Sequence, residues 1–206
     1  MKTGLAFILT SVVLRFFQTA FLNFVSSGSM LPGIEYRNIN NIVINPIAYG
    51  VKVPLSDYKF FKQDPSRGDV MLFMEGNGSS QKTIKRVIGL PGDRIDYIDG
   101  ILYVNKKALT EEINFDLTAF YNTKNLHSLE EEGGTVTIRK ESIDGKSYYV
   151  QDVEKLPYSG NFYGFTVGQS EYFVMGDNRR NSKDSRDIGC IREYQILGKA
   201  VYFRKR

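Results

Sequence analysis

Residues 69–104 read DVMLFMEGNGSSQKTIKRVIGLPGDRIDYIDGILYV, and this stretch decides the fold class. It contains strand-length runs at Asp69–Phe73, Thr83–Ile88, Arg94–Tyr97 and Ile101–Val104, divided in part by Pro91-Gly92-Asp93 and Asp99-Gly100. An Asp-Gly pair between two such runs signals a hairpin, because a type I′ turn needs positive φ at both central residues. The same punctuation continues outward. Asn41–Ile44 lies upstream, while Thr135–Arg139, Ser147–Val150, Glu171–Met175 and Gly198–Phe203 lie downstream, with turns at Arg67-Gly68-Asp69, Gly133-Gly134 and Asp144-Gly145. Tyr and Phe make up an aromatic content of 13% without any Trp, and these residues favour strands. The expectation is a mainly β protein built on antiparallel sheet. Residues 106–167 are more polar, carry an acidic run at Glu130–Glu132, and read as a smaller inserted β-rich subdomain that splits a main domain at 26–105 and 168–206.

The chain has 206 residues, enough for one domain with an insertion. Its single cysteine, Cys190, permits no internal disulfide, and with His127 as the one imidazole a Cys/His zinc site cannot be assembled within the chain. No metal or cofactor is expected. A Ser-His-Asp or Cys-His enzyme would have to recruit His127 as its base. That histidine sits in the inserted segment beside Asn125, Leu126 and Ser128 and reads as a surface residue. Cys190, between Gly189 and Ile191, reads as a small buried apolar residue. A net charge of +4 with 24% charged residues is ordinary and points to no nucleic-acid partner.

Upstream of the strand-like runs, Gly4–Val25 (GLAFILTSVVLRFFQTAFLNFV) is an apolar stretch of about the length that crosses ~30 Å of hydrocarbon at ~1.5 Å per residue. Arg15 interrupts it just past its middle, and its side chain can snorkel. No small-x-small cleavage site follows, so residues 1–25 read as a retained N-terminal transmembrane helix rather than a cleaved signal or an interfacial helix. Lys2 and the amino terminus keep the short tail in the cytoplasm, which leaves the bulk of the chain outside. The terminal Arg204-Lys205-Arg206 reads as a solvated tail.

Three further stretches carry chemistry, and each has a plain reading beside the functional one. Ser26-Ser27-Gly28-Ser29-Met30-Leu31-Pro32 is either a linker after the anchor or a place where backbone and hydroxyls approach a ligand closely. In Lys82-Thr83-Ile84-Lys85-Arg86-Val87-Ile88-Gly89-Leu90-Pro91-Gly92-Asp93, Lys85 is either an exposed edge-strand lysine or an amine held near apolar surface. Burial would lower its pKa and leave a neutral base near pH 7. Met175–Arg186 (MGDNRRNSKDSR) is either a solvated loop or a set of hydroxyls, carboxylates and guanidinium groups that orient a neighbouring amine.

Taken in this order, the three stretches resemble the type I signal peptidases, membrane-anchored Ser/Lys endopeptidases that remove signal peptides from exported proteins. Ser27-Gly28-Ser29-Met30-Leu31-Pro32 resembles their nucleophile motif and Ile84–Asp93 their base motif. Gly176-Asp177-Asn178-Arg179, with Asn181-Ser182 and Asp184-Ser185-Arg186, resembles the third signature. Ala48-Tyr49-Gly50, Arg67-Gly68-Asp69 and the hairpin Asp99–Asn105 are also similar to family elements. The likeness runs from about residue 5 to 105 and from about 168 to 202.

The resemblance implies Ser29 as nucleophile and Lys85 as general base, with the backbone N–H of Ser29 and the hydroxyl of Ser27 as the oxyanion hole. It further implies that Ser182 holds the lysine in position, that Asp184 and Arg186 form a supporting ion pair, and that Asp177 braces the loop. Met30, Leu31, Ile34 and Ile84 are expected to contribute to shallow apolar pockets for small residues at the first and third positions before the cut. The implied partners are the signal peptides of preproteins and membrane lipid. The implied location is the outer face of a bacterial inner membrane, with a single span; no oligomeric state follows. Several positions depart from the family. Gly33 follows Pro32 where Thr is usual, Thr83 stands where Tyr is common, a Glu-Pro pair is missing from Thr19–Val25, and one span replaces the two of some members. These departures bear on substrate preference and leave open a specialised processing peptidase of a pilus, secretion or conjugation apparatus. Two other readings are a self-cleaving Ser/Lys protease of the repressor type, against which the apolar N-terminus argues, and a non-catalytic membrane-anchored β-domain serving in assembly.

Overall fold

In the computed structural model, which describes residues 20–21, 28–34, 42–52, 58–76, 81–112, 136–153 and 160–202, both Asp-Gly pairs make hairpin turns. Asp99 and Gly100 have φ of 50° and 81°, and Asp144 and Gly145 have 48° and 76°, the double positive φ of a type I′ turn. These turns join antiparallel neighbours: β7 (Arg94–Ile98) to β8 (Ile101–Val104), and β11 (Val136–Ile143) to β12 (Lys146–Val153).

The largest sheet has seven strands in the order β1 (Ala20–Phe21), β2 (Ile42–Asn45), β16 (Ile196–Tyr202), β5 (Val70–Met74), β6 (Lys82–Gly89), β14 (Glu171–Met175) and β15 (Ile191–Arg192). Beside it lie a four-stranded sheet, β13 (Phe162–Thr166), β7, β8 and β9 (Lys107–Ala108), and a three-stranded one, β10 (Thr110–Glu112), β11 and β12. A short ribbon pairs β3 (Val51–Lys52) with β4 (Lys59–Phe60). Among the described residues every pair of strands is antiparallel, as the Asp69–Val104 stretch led one to expect.

The centre of the main sheet is covered on both faces, which is why β5 reads as a continuous apolar run rather than an alternating one. Leu72 and Ile84, cross-strand partners, pack with Met30, Ile34, Ile42, Ile44 and Ala200. Met71, Phe73 and Val87 pack instead with Tyr49, Tyr172, Val174 and Ile191.

The boundaries expected at 106 and 167 do not divide the core. Leu109, Ile143, Tyr148 and Val150 from the inserted stretch share one buried cluster with Ile88, Ile95, Tyr97, Leu102, Phe173 and Met175. β13 pairs with β7, and the carboxylate of Asp69 accepts from Lys146 of β12 and from Lys199 of β16, both at 2.8 Å. His127 lies outside the described residues. So does most of the stretch expected to span a membrane; its two described residues, Ala20 and Phe21, pair with Ile44 and Val43. Among the described residues no helix is long and apolar enough to cross a membrane.

A core shared in this way has a measurable consequence. Ile143→Ala, in β11, is expected to lower stability by about 2–5 kcal/mol and to shift one cooperative denaturant transition reported alike by probes in the main sheet and in β11–β12. Two separate transitions, of which just the smaller moves, would show that the inserted stretch folds on its own.

Candidate active site

The site is assembled from a tight turn, a central strand and a polar loop. Gly28–Met30 form one turn of 3-10 helix, closed by a hydrogen bond from Leu31 N–H to the Gly28 carbonyl at 3.1 Å. Such a turn leaves the Ser29 side chain at its edge while Met30 is buried against Ile84 and its neighbours. Lys85 comes from β6, 56 residues away in sequence. Its Nζ lies 2.8 Å from Ser29 Oγ, and the two residues are 3% and 7% exposed. Burial pushes the Lys85 amine below its ordinary value, and Arg186 adds to that; Asp184, Glu75 and Asp177 pull it back up. A neutral amine at this distance can accept the hydroxyl proton of Ser29, which is how an otherwise weak oxygen nucleophile is activated.

The loop between β14 and the four-residue helix α1 (Ser185–Ile188) surrounds this pair. Asp184 caps α1 and accepts from the Gly176 amide at 2.9 Å, which ties the two ends of the loop together. Its partner is Arg186, whose Nε and Nη2 donate at 2.8 Å and whose Nη2 also donates to the Arg179 carbonyl at 2.7 Å. Gly176 is needed at its position because a Cβ would lie 2.5 Å from the Ser29 carbonyl oxygen and 2.1 Å from Ser182 Oγ. Asp177 is gripped by Arg86, which donates from Nε at 2.8 Å and from Nη2 at 2.6 Å. Gly33, a departure from the family pattern, fits this pair: a Cβ there would stand 2.9 Å from Asp177 Oδ2.

The structure thus brings Ser29, Lys85, Asp177, Ser182, Asp184 and Arg186 into one neighbourhood. Ser182 differs from expectation in detail, since its buried hydroxyl faces the Asp184 carboxylate rather than bonding Lys85. Ser27 lies outside the described residues. Met30, Ile34 and Ile84, expected to line a substrate pocket, are packed in one core cluster, and Leu31 is buried outside it. Cys190 is half-buried rather than fully so, with its thiol pushed up to about 12 by burial and by Glu171. Among the described residues no group of three or more His, Cys, Asp or Glu could hold a metal ion.

Two residues of the site went unread in the sequence. Arg86 is the partner of Asp177, although it adjoins Lys85 in the base motif. Asn178 holds the serine turn itself: its amide donates to the Ser29 carbonyl at 3.0 Å and its Nδ2 to the Gly28 carbonyl at 3.1 Å. Its place in the third signature was the available signal.

The depressed amine can be read from stability. Between the folded value of Lys85 and the ordinary 10.5, the unfolded chain binds more protons than the folded one, so stability rises with pH across that window and is flat below it. Denaturant midpoints for the parent and Lys85→Met at a series of pH values are expected to show the parent gaining on the variant as pH approaches 10.5. A difference that stays constant over the whole range would mean that the amine is not depressed.

Against known proteins, the family model described as signal peptidase, peptidase S26, matches residues 1–203. Signal peptidase I of Pseudomonas aeruginosa is 32% identical over 191 residues, covering 85% of this chain and 61% of that protein. Signal peptidase I of Pseudomonas fluorescens is 33% identical over 189 residues, with the same coverage of 85% and 61%. The chain therefore spans about three-fifths of the length of these curated relatives. A crystal structure of a signal peptidase I from Enterococcus faecalis matches with a TM-score of 0.38 and 27% identity, over 66% of this chain and 97% of that one.

Proposed function

The chain belongs to the signal peptidase family, peptidase S26, and on that premise we propose that it is a membrane-bound serine endopeptidase that cleaves signal peptides from exported preproteins. Ser29 is the nucleophile and Lys85 the base. The observation that carries this reading is the 2.8 Å separation of Lys85 Nζ and Ser29 Oγ, both buried.

The chemistry follows from that pair. Neutral Lys85 takes the hydroxyl proton as Ser29 Oγ adds to the scissile carbonyl. The resulting oxyanion is held by the Ser29 amide and the Ser27 hydroxyl, donors of a kind worth about 2.7–4 kcal/mol each. Lys85 then gives its proton to the departing amine of the mature protein, and an ester remains on Ser29. Water, deprotonated by the same Lys85, hydrolyses that ester and restores the hydroxyl. Arg86–Asp177 and Arg186–Asp184 keep the loop in place around the amine. A retained single span in the apolar stretch upstream of β1 would set the nucleophile at the outer face of the bacterial inner membrane, where signal peptides emerge, and raise its effective concentration there.

The test is cleavage of a preprotein by the full chain in detergent. Ser29→Ala and Lys85→Ala are expected to lose about 10⁴-fold or more in kcat/KM, and Lys85→Arg to stay inactive because a guanidinium does not deprotonate. His127→Ala should cleave as the parent does. The parent's rate should climb about tenfold per pH unit below the pKa of Lys85 and level off above it. A Ser29→Ala variant as active as the parent would overturn the reading.

A further inference from the structure

The hairpin β11–β12 reaches the catalytic loop directly and, through Arg86 of β6, indirectly. Gln151 in β12 makes a parallel bridge to Asn178, with its amide donating to the Asp177 carbonyl and the Arg179 amide donating back to the Gln151 carbonyl, both at 2.9 Å. Glu141 in β11, 0% exposed, accepts from Arg179 Nη2. The ring of Tyr148 in β12 lies 4.1 Å beneath the guanidinium of Arg86, which in turn grips Asp177. The loop passes these restraints on to the serine turn through Asn178 and through the close approach of Gly176 to the Ser29 carbonyl.

The Arg179–Glu141 pair is the link whose chemistry asks for a reason. Both groups are fully desolvated, and replacing a buried pair by apolar residues of similar size is often neutral or stabilising, so stability alone does not account for it. What the pair supplies is direction: Arg179 also donates from Nε to the Gly176 carbonyl at 3.2 Å, so the guanidinium spans from Glu141 to the residue that touches both Ser29 and Ser182.

We propose that Glu141 is a positioning residue for peptide-bond cleavage: through Arg179 it holds the 176–179 loop, and with it the Ser29 turn, against Lys85, so that the β11–β12 hairpin is part of the catalytic apparatus. This rests on Ser29 and Lys85 acting as proposed above. A misplacement of about 1 Å in such a site can cost about 10²-fold in rate.

The test pairs two variants with two readouts. The double variant Glu141→Leu/Arg179→Met removes the charges and keeps the bulk. It is expected to unfold at or above the parent's midpoint while kcat on a preprotein falls about 10²-fold with KM little changed. Glu141→Gln, which keeps a hydrogen-bond acceptor, is expected to lie between the two. In both variants the amide of Asn178, bonded to the Ser29 carbonyl, should exchange with solvent faster than in the parent. A well-folded variant of either kind with parental kcat and parental exchange at Asn178 overturns the proposal, as does a loss confined to KM. If the double variant does not fold, Glu141→Gln decides by the same readouts. Ser29→Ala assayed alongside separates the cases: an active Ser29→Ala sinks the protease reading itself, whereas an inactive one with a fully active Glu141→Gln sinks the positioning role alone.

Discussion

A lysine that is to act as a base must be kept dry, and it must not face an unshared carboxylate. Lys85 meets both conditions at once. It is 3% exposed, and burial pushes its pKa down while three nearby carboxylates pull it up. Each of those carboxylates is engaged elsewhere. Asp184 is held by Arg186 and the Gly176 amide, Asp177 by both ends of the Arg86 fork, and Glu75 by the Thr83 hydroxyl at 2.7 Å. A carboxylate paired with a guanidinium presents the lysine with something closer to a dipole than a net charge, and its influence dies away faster with distance. Arg186 also lowers the pKa of the amine directly, and Arg86 and Arg186 offset two of the carboxylates that raise it.

The β architecture follows from the same need. A central strand flanked by β5 and β14 is shielded on both faces, and such a strand can carry a lysine into low dielectric while its backbone stays fully hydrogen-bonded. The serine cannot come from the same sheet position, so it is delivered by a turn. That turn is held by Asn178, which belongs to the loop that β14 and α1 suspend over the strand. Strand, turn and loop are separate in sequence, and two core clusters align them: Met30 of the turn packs with Ile84 of β6, while Ile88 of β6 packs with Met175 of β14, just before the loop, and with Ile143, Tyr148 and Val150 of β11–β12.

How much of this was legible follows from the range of each interaction. The hairpins around Asp99-Gly100 and Asp144-Gly145 were readable because a type I′ turn is local chemistry. β13 was not, because Phe162-Tyr163-Gly164-Phe165-Thr166 contains a glycine and gains its pairing from β7, more than 60 residues upstream. Read alone, the serine stretch reads as a linker and Lys85 as an exposed edge-strand lysine; what joined them into a site was the order of three signatures. Pairings between distant charges, Arg86 with Asp177 and Arg179 with Glu141, left no local mark: nothing in a strand's apolar pattern says which of many carboxylates will meet a given guanidinium. The expected Ser182–Lys85 contact fell to the same limit at the scale of a hydroxyl's direction.

Position and dryness are one constraint here rather than two. The loop lies so close to the serine that residue 176 has room for no side chain, and the Lys85 amine bonded to that serine is 3% exposed. A loop that moved outward would lengthen the path from Asn178 to the Ser29 carbonyl and also hydrate the lysine, returning it toward its charged form. Geometry and protonation would then fail together. That is a physical reason for a fully buried ion pair at Arg179 and Glu141, whose own contribution to stability is small at best: a directional tether resists the outward motion that a purely apolar contact would permit.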